Sequence, residues 1–264
     1  MTGWETPTVF AAIGLLAAAQ VHAGGPEQLA LMDEPMLVVL MPDGSLTGWL
    51  VRGPAEQRVV AARTSADNGH TWGEAHDVLP LPGGPGEWCG VEPLLDQGGE
   101  MHLFLLRYGQ PGTVAQGEGE RVLVGQLLGT RLDIWYARSH HGRTRWDAPR
   151  MIWKGYTGAL NSVIQTAAGR ILLPFSFLTD RTWANRGEGL DKWTFTGQFD
   201  CVVAHSADGG ANWALSQSLR TPVPDIVSAY GAVEPVVLEL LDGRVWMLIR
   251  TQQGRLYQSF SPDG

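Results

Sequence analysis

The sequence predicts an all-β fold of four-stranded antiparallel blades, a β-propeller. Three observations carry this: a turn unit running from Ser to Trp recurs along the chain, a strand–turn–strand unit alternates with it, and the composition suits many short strands. The 264 residues include 34 Gly and 16 Pro, with 44% hydrophobic against 17% charged residues. Gly and Pro punctuate short elements, and β-branched and aromatic runs between them read as strands. Apart from one N-terminal stretch, no long segment repeats apolar residues at helical spacing.

The turn unit reads SADNGHTW at Ser65–Trp72 and SADGGANW at Ser206–Trp213. A degenerate copy, SHHGRTRW at Ser139–Trp146, keeps the Ser-to-Trp spacing but has His141 in place of Asp67 and Asp208. SPDG at Ser261–Gly264 matches the first half of a fourth copy. Strand-like runs precede them: RVVAART, DIWYAR, FDCVVAH and GRLYQSF. The Asp carboxylate can accept N–H groups of its own turn, Gly supplies a positive φ, and the Trp is expected to pack back under the turn.

The alternating unit reads EPMLVVLMPDGSLTGWLVR at Glu34–Arg52, EPLLDQGGEMHLFLLR at Glu92–Arg107 and EPVVLELLDGRVWMLIR at Glu234–Arg250, with the variant NSVIQTAAGRILLPF at Asn161–Phe175. Each is two strands joined by a tight turn. Hairpin followed by turn-unit hairpin, four times, makes four strands per repeat, the signature of propeller blades.

Composition removes several function classes. A net charge of -8 argues against nucleic acid, which requires a basic footprint. Cys89 and Cys201 form no disulfide framework and no metal-ligand spacing, so no metal site is expected. Only TVFAAIGLLAAAQVHAGG is apolar enough to resemble a signal peptide, yet the preceding MTGWETP carries Glu5 and no Lys or Arg. Residues 1–31 are therefore read as an N-terminal segment, a signal peptide or a packing element, and residues 32–264 as the propeller. This leaves a secreted, periplasmic or cytoplasmic location open, and no membrane span is expected.

Antiparallel strands A to D alternate in direction, so the A–B turns and the Ser-to-Trp turns share one face of the propeller. The longer loops, about residues 109–131, 176–198 and 214–233, share the other, where function is usually carried. The Ser-to-Trp turns are accordingly scaffold, and His140 and His141 are structural or surface residues. On the loop face, register counted from each turn places Glu34 opposite Arg52, Glu92 opposite Arg107 across a two-residue turn, and Glu234 opposite Arg250. Asn161 and Phe175 break the pattern. A cross-strand ion pair and an anion site, with Arg fixing a carboxylate and Glu orienting it, both suit such pairs. Trp88, Trp183 and Trp193 lie in or near loop-face segments, where they could stack on sugars or pack into the loops.

Ser65, Asp67, Gly69, Thr71 and Trp72 fill every fixed place of the Asp-box motif, and Ser206–Trp213 all but one, Asn212 standing for Thr. On these residues the chain resembles the sialidase superfamily of BNR, or Asp-box, propellers, from about Met32 to Gly264. The resemblance implies a six-bladed propeller, of which about three and a half to four blades are written here, monomeric when full length. Such an open arc is expected to be insoluble or inactive by itself. The resemblance also implies an exo-glycosidase acting on sialic acid or a similar anionic sugar, with no metal and no organic cofactor. Glu234 then looks like the Tyr-activating Glu and Arg250 like a carboxylate-clamping Arg. Arg52 is the nearest substitute for a first clamp Arg, which the family places where this chain has Asp33-Glu34-Pro35-Met36. Glu56 is the carboxylate in the position of the acid/base. Glu92 and Arg107 join the substrate-binding set through the cross-strand pairing counted above, not through the resemblance. The nucleophilic Tyr and a third Arg would fall beyond Gly264. The missing Arg favours, as alternatives, a polysaccharide lyase or uronate-directed hydrolase. A non-catalytic carbohydrate- or protein-binding propeller is the third reading.

Overall fold

A computed structural model describes residues 36–109, 131–179, 183–185, 193–195, 199–222 and 231–262. The predicted N-terminal segment, Glu34, Gly264 and most of the three long loops lie outside these residues, as do the side chains of Trp183 and Trp193. The described residues form a partial β-propeller of four successive antiparallel blades. The first is β1 (Leu37–Leu40), β2 (Leu46–Arg52), β3 (Val59–Ser65) and β4 (His76–Pro80), paired in chain order, with a short 3-10 turn at Ala55–Gln57. The second is β5 (Glu87–Leu95), β6 (Met101–Gly109) and β7 (Arg131–His140), with β8 (Arg145–Trp146) and β9 (Arg150–Trp153) both paired to β7. In the third, β10 (Ile164–Gln165) and β11 (Ile171–Leu178) are followed by a separate hairpin, β12 (Trp183–Asn185) and β13 (Trp193–Phe195). The third blade then closes with β14 (Phe199–Ser206) and β15 (Ala214–Leu215). The fourth holds β16 (Val233–Glu239), β17 (Val245–Arg250) and β18 (Leu256–Ser261).

The core lies in the seams between blades, which is why the strands are apolar on both faces. In β6, Leu103 and Leu105 pack toward Trp49 and Val60 of the first blade. Phe104, one residue out of phase, packs toward Ile171, Leu173 and Phe175 of the third. Leu172 in turn meets Val245, Met247 and Ile249 of the fourth. A strand alternates its side chains with period two, so a central blade strand must be hydrophobic at every position.

The Ser-to-Trp turns close as local hydrogen-bond cages. Asp67 accepts from Thr71 N at 2.8 Å, Thr71 Oγ1 at 2.6 Å and Ser65 Oγ at 2.8 Å. Asp208 does the same with Ser206 and Asn212, the Asn212 amide replacing the Thr hydroxyl. These donors, from Thr71 and Asn212 foremost, hold both carboxyls down at about 2. Trp72 lies against Gly69 of its own turn, but in the two later turns the Trp does not simply fold under. Trp146 sits edge-on to Trp49 of the preceding blade at 6.0 Å, and Trp213 meets Phe104 and Tyr136 of the preceding blade at 5.4 and 5.2 Å. The residue fills the seam because a flat indole covers more apolar surface there than beneath a short turn.

The degenerate second turn finds its missing carboxylate elsewhere. Glu100, on the neighbouring A–B turn, accepts from Ser139 Oγ at 2.6 Å and Gly142 N at 3.0 Å. Ser139 Oγ in turn accepts from Met101 N at 2.7 Å. His141 is left at φ 54°, and His140 contacts Asp147 at 2.9 Å. Glu100→Ala is expected to cost about 1–2 kcal/mol by stripping acceptors from these donors. Adding His141→Asp should return most of it, read as the midpoint of urea unfolding.

The A–B turns at Met41–Ser45 and Leu240–Arg244 have the expected three-residue loops. The second blade departs from the expected two-residue turn. Asp96 N bonds Glu100 O at 2.9 Å, with Gly99 at φ 83°, so the loop is Gln97-Gly98-Gly99. Glu92 therefore faces Phe104, and Arg107 faces Trp88 across a bulge. The expected Glu92–Arg107 pair does not form.

Candidate functional site

The loop-face ends of β6, β7, β11, β14, β16 and β17 converge on a cavity of about 420 Å³. Its walls include Tyr108 and Leu132 from the second blade, Ser176 and Phe199 from the third, and Glu234 and Arg250 from the fourth, with Tyr156 and Thr157 from the connection between second and third.

Glu234 and Arg250 meet here through a distortion that the register count did not anticipate. Arg250 pairs with Val233, and the register slips before Val236 meets Leu248. Glu234 occupies the bulge at φ 50°, a left-handed conformation that is costly for a side chain with a Cβ. Bulges re-aim side chains, and this one puts Glu234 Oε2 2.6 Å from Arg250 Nη1. Both side chains stay open to solvent, at 57% for Arg250 and 37% for Glu234. Among the described residues Arg250 Nε and Nη2 have no partner, which leaves a guanidinium edge able to receive a carboxylate.

The other two arginines are engaged elsewhere. Arg52 bonds Asp77 on β4 at 2.6 and 3.0 Å and the Ala75 carbonyl at 3.0 Å. Arg107 is buried, donates to the Gly83 and Gly84 carbonyls at 3.0 Å each, and lies against Trp88 and Trp135 at 4.9 and 5.7 Å. Trp88 itself is buried and donates to the Pro82 carbonyl at 3.1 Å. Spacing explains the difference. Arg52 and Arg107 stand eight residues after their turn glycines, Gly44 and Gly99, whereas Arg250 stands seven after Gly243. One residue reverses the face of a strand, so Arg250 leaves its sheet on the side opposite to the other two.

The same count exposes a residue that motif reading missed. Ser176 stands seven after Gly169, in the place of Arg250 in its own blade. It is fully buried, lines the cavity, and its Oγ has no hydrogen-bond partner. Gly158 keeps that hydroxyl clear, because a Cβ at 158 would lie 2.5 Å from it. Tyr108 and Tyr156 were also missed, since no local pattern distinguishes a tyrosine at a strand end from one in a connection.

Glu92 shares its face of β5 with Leu94, which packs in the seam between second and third blades. It has no polar partner among the described residues, and burial pushes its carboxyl up to about 7. Glu56 is exposed on the 3-10 turn of the first blade and is not among the cavity's lining residues. Among the described residues no cluster of His, Cys, Asp and Glu could hold a metal, and no helix is long and apolar enough to cross a membrane.

No protein family matches the sequence, and no curated protein does. Solved structures do match. A protein of unknown function from Dyadobacter fermentans superposes with a TM-score of 0.61 at 16% identity, over 88% of this chain and 66% of that one. The NanB sialidase of Streptococcus pneumoniae gives 0.51 at 12% identity, over 86% of this chain and 49% of that one. A leech intramolecular trans-sialidase gives 0.50 at 11%, over 87% and 49%. The chain thus spans about half to two thirds of the length of these structures. The likeness is one of fold.

Proposed function

We propose that this propeller is a glycan-active enzyme, a sialidase-like exo-glycosidase that seats an anionic sugar in the loop-face cavity. The observation that carries the reading is the Glu234–Arg250 contact at 2.6 Å in the wall of a cavity shared by three blades. Arg250 receives the sugar carboxylate with its unengaged N–H groups. Glu234 holds the guanidinium in place and keeps a negative charge beside the reacting centre, the position from which the family's Glu activates a Tyr. Tyr108 and Tyr156 offer neutral faces that bound the sugar without repelling its carboxylate. Glu56 and Arg52 enter the site only through the resemblance, and Glu92 and Arg107 only through a register that the second blade does not keep. Two of the structurally similar proteins are described as sialidases, which supports the same class of substrate.

A uronate-directed hydrolase or lyase is the second reading, favoured by the absence of an arginine at Asp33-Glu34-Pro35-Met36. Calorimetric titration with N-acetylneuraminic acid, glucuronic acid and galactose separates the readings. Tighter binding of either acid than of galactose supports an anion site, and which acid binds tighter chooses between them. Arg250→Ala is expected to lower affinity for the preferred acid and, in full-length protein that carries the nucleophile, turnover of its fluorogenic glycoside, by about a hundredfold or more. Equal binding of galactose, or an Arg250→Ala protein that binds and turns over as before, would remove Arg250 from the site.

A further inference from the structure

A second and larger cavity, about 680 Å³, lies between the second and third blades. Its wall includes Trp153, Phe177, Arg131 and Lys154, and no carboxylate is among its lining residues. This is unusual in a chain with 27 acidic against 19 basic residues. The charge is only partly compensated. Asp133, buried behind the wall, bonds Arg131 at 3.0 Å and the Gly155 backbone N–H at 3.0 Å. Lys154 is exposed and has no ion-pair partner among the described residues. The aromatic part is held rigidly. Trp153 is half-buried against Phe175 at 5.1 Å and Phe177 at 6.1 Å, and Gly155 lies so close that a Cβ there would collide with the indole. A fixed aromatic surface beside an uncompensated cation suits a ring that is apolar on one face and acidic at its edge.

Tyr156 lines both this cavity and the one that holds Glu234 and Arg250. We infer that the two are neighbouring subsites for one acidic oligosaccharide, with one acidic unit against Arg250 and a further acidic unit beyond Tyr156 against Trp153 and Lys154. This rests on the proposed anion site at Arg250 and extends it: the ligand is a chain bearing at least two carboxylates, not an isolated terminal acid. Linking two weak contacts in one molecule raises affinity because the second forms intramolecularly.

The test is a calorimetric comparison of acidic monosaccharides, N-acetylneuraminic and glucuronic acid, with linear oligosaccharides of the same acids. It is run on the unaltered protein, on Lys154→Glu and on Arg250→Ala. Lys154 is exposed and has no ion-pair partner among the described residues, so its substitution leaves the fold intact. The oligosaccharide should bind at least about tenfold tighter than its monosaccharide. Lys154→Glu should abolish that advantage and leave monosaccharide affinity within about twofold, since Lys154 is not among the residues lining the Arg250 cavity. Arg250→Ala should weaken both ligands. An oligosaccharide that binds no tighter than its monosaccharide, or an advantage that survives Lys154→Glu, overturns the inference. If Arg250→Ala changes nothing while Lys154→Glu still weakens the oligosaccharide, the Arg250 reading fails and the Lys154 cavity stands as an acidic-glycan site.

Discussion

Trp213→Ala is expected to destabilise the protein by about 3 kcal/mol, with Trp213→Phe losing less than half of that. The indole is half-buried at the end of a surface turn, a place where substitution is ordinarily mild. Its partners decide otherwise. It stands edge-on to Phe104 and Tyr136 at 5.4 and 5.2 Å, and Phe104 is fully buried in the seam between the second and third blades. The same turn is gripped by Arg150, which donates to the Gly210 and Ala211 carbonyls and lies over the Tyr136 ring at 5.5 Å. Removing the indole opens a void against side chains that cannot move, because Tyr136 is fixed by His102 at 2.7 Å and His102 by Asp96 at 3.0 Å. Urea unfolding followed by far-UV circular dichroism measures the loss. A change below about 1 kcal/mol would mean that Trp213 does not fill the seam.

Glu92→Gln is expected to stabilise the protein at pH 8 and to have almost no effect at pH 4. Burial raises the Glu92 carboxyl from its ordinary value of 4.5 to about 7. In the unfolded chain it ionises above 4.5; in the folded protein it keeps its proton until about 7. Stability therefore falls as pH rises between these values and levels off above, by about 3 kcal/mol at about 1.4 kcal/mol per pH unit. Gln has the same shape and never ionises, so it recovers that amount at high pH. Denaturant unfolding of both proteins at the two pH values checks the sign. Equal effects at pH 4 and pH 8 would show that the Glu92 charge is not the cause.

The strand order was legible because its determinants are local. Gly and Asp in each turn, alternation along each strand, and Trp at constant spacing act over a few residues, and four copies made the pattern repeat. The candidate site was legible only in part. Glu234 and Arg250 could be paired from their turn, but the pair forms through a bulge that no residue nearby announces. Glu92 and Arg107 were paired on a two-residue turn, and one additional loop residue moved them apart. Ser176, Tyr108 and Tyr156 carry no motif; only the convergence of three blades makes them neighbours.

By itself, then, the sequence determined the all-β class and the strand and turn order of the blades, because these follow from turn chemistry and a period of two. Tertiary structure alone decided which partner each conserved-looking feature met. Three arginines at similar strand ends went to a neighbouring Asp, to backbone carbonyls between two Trp rings, and to a bulged Glu. The carboxylate of the second turn came from Glu100 on another hairpin, and the Trp of each later turn filled the preceding seam. A one-residue slip reverses a side chain across a sheet, and burial between blades joins residues far apart in the chain, so neither outcome is written within any single repeat.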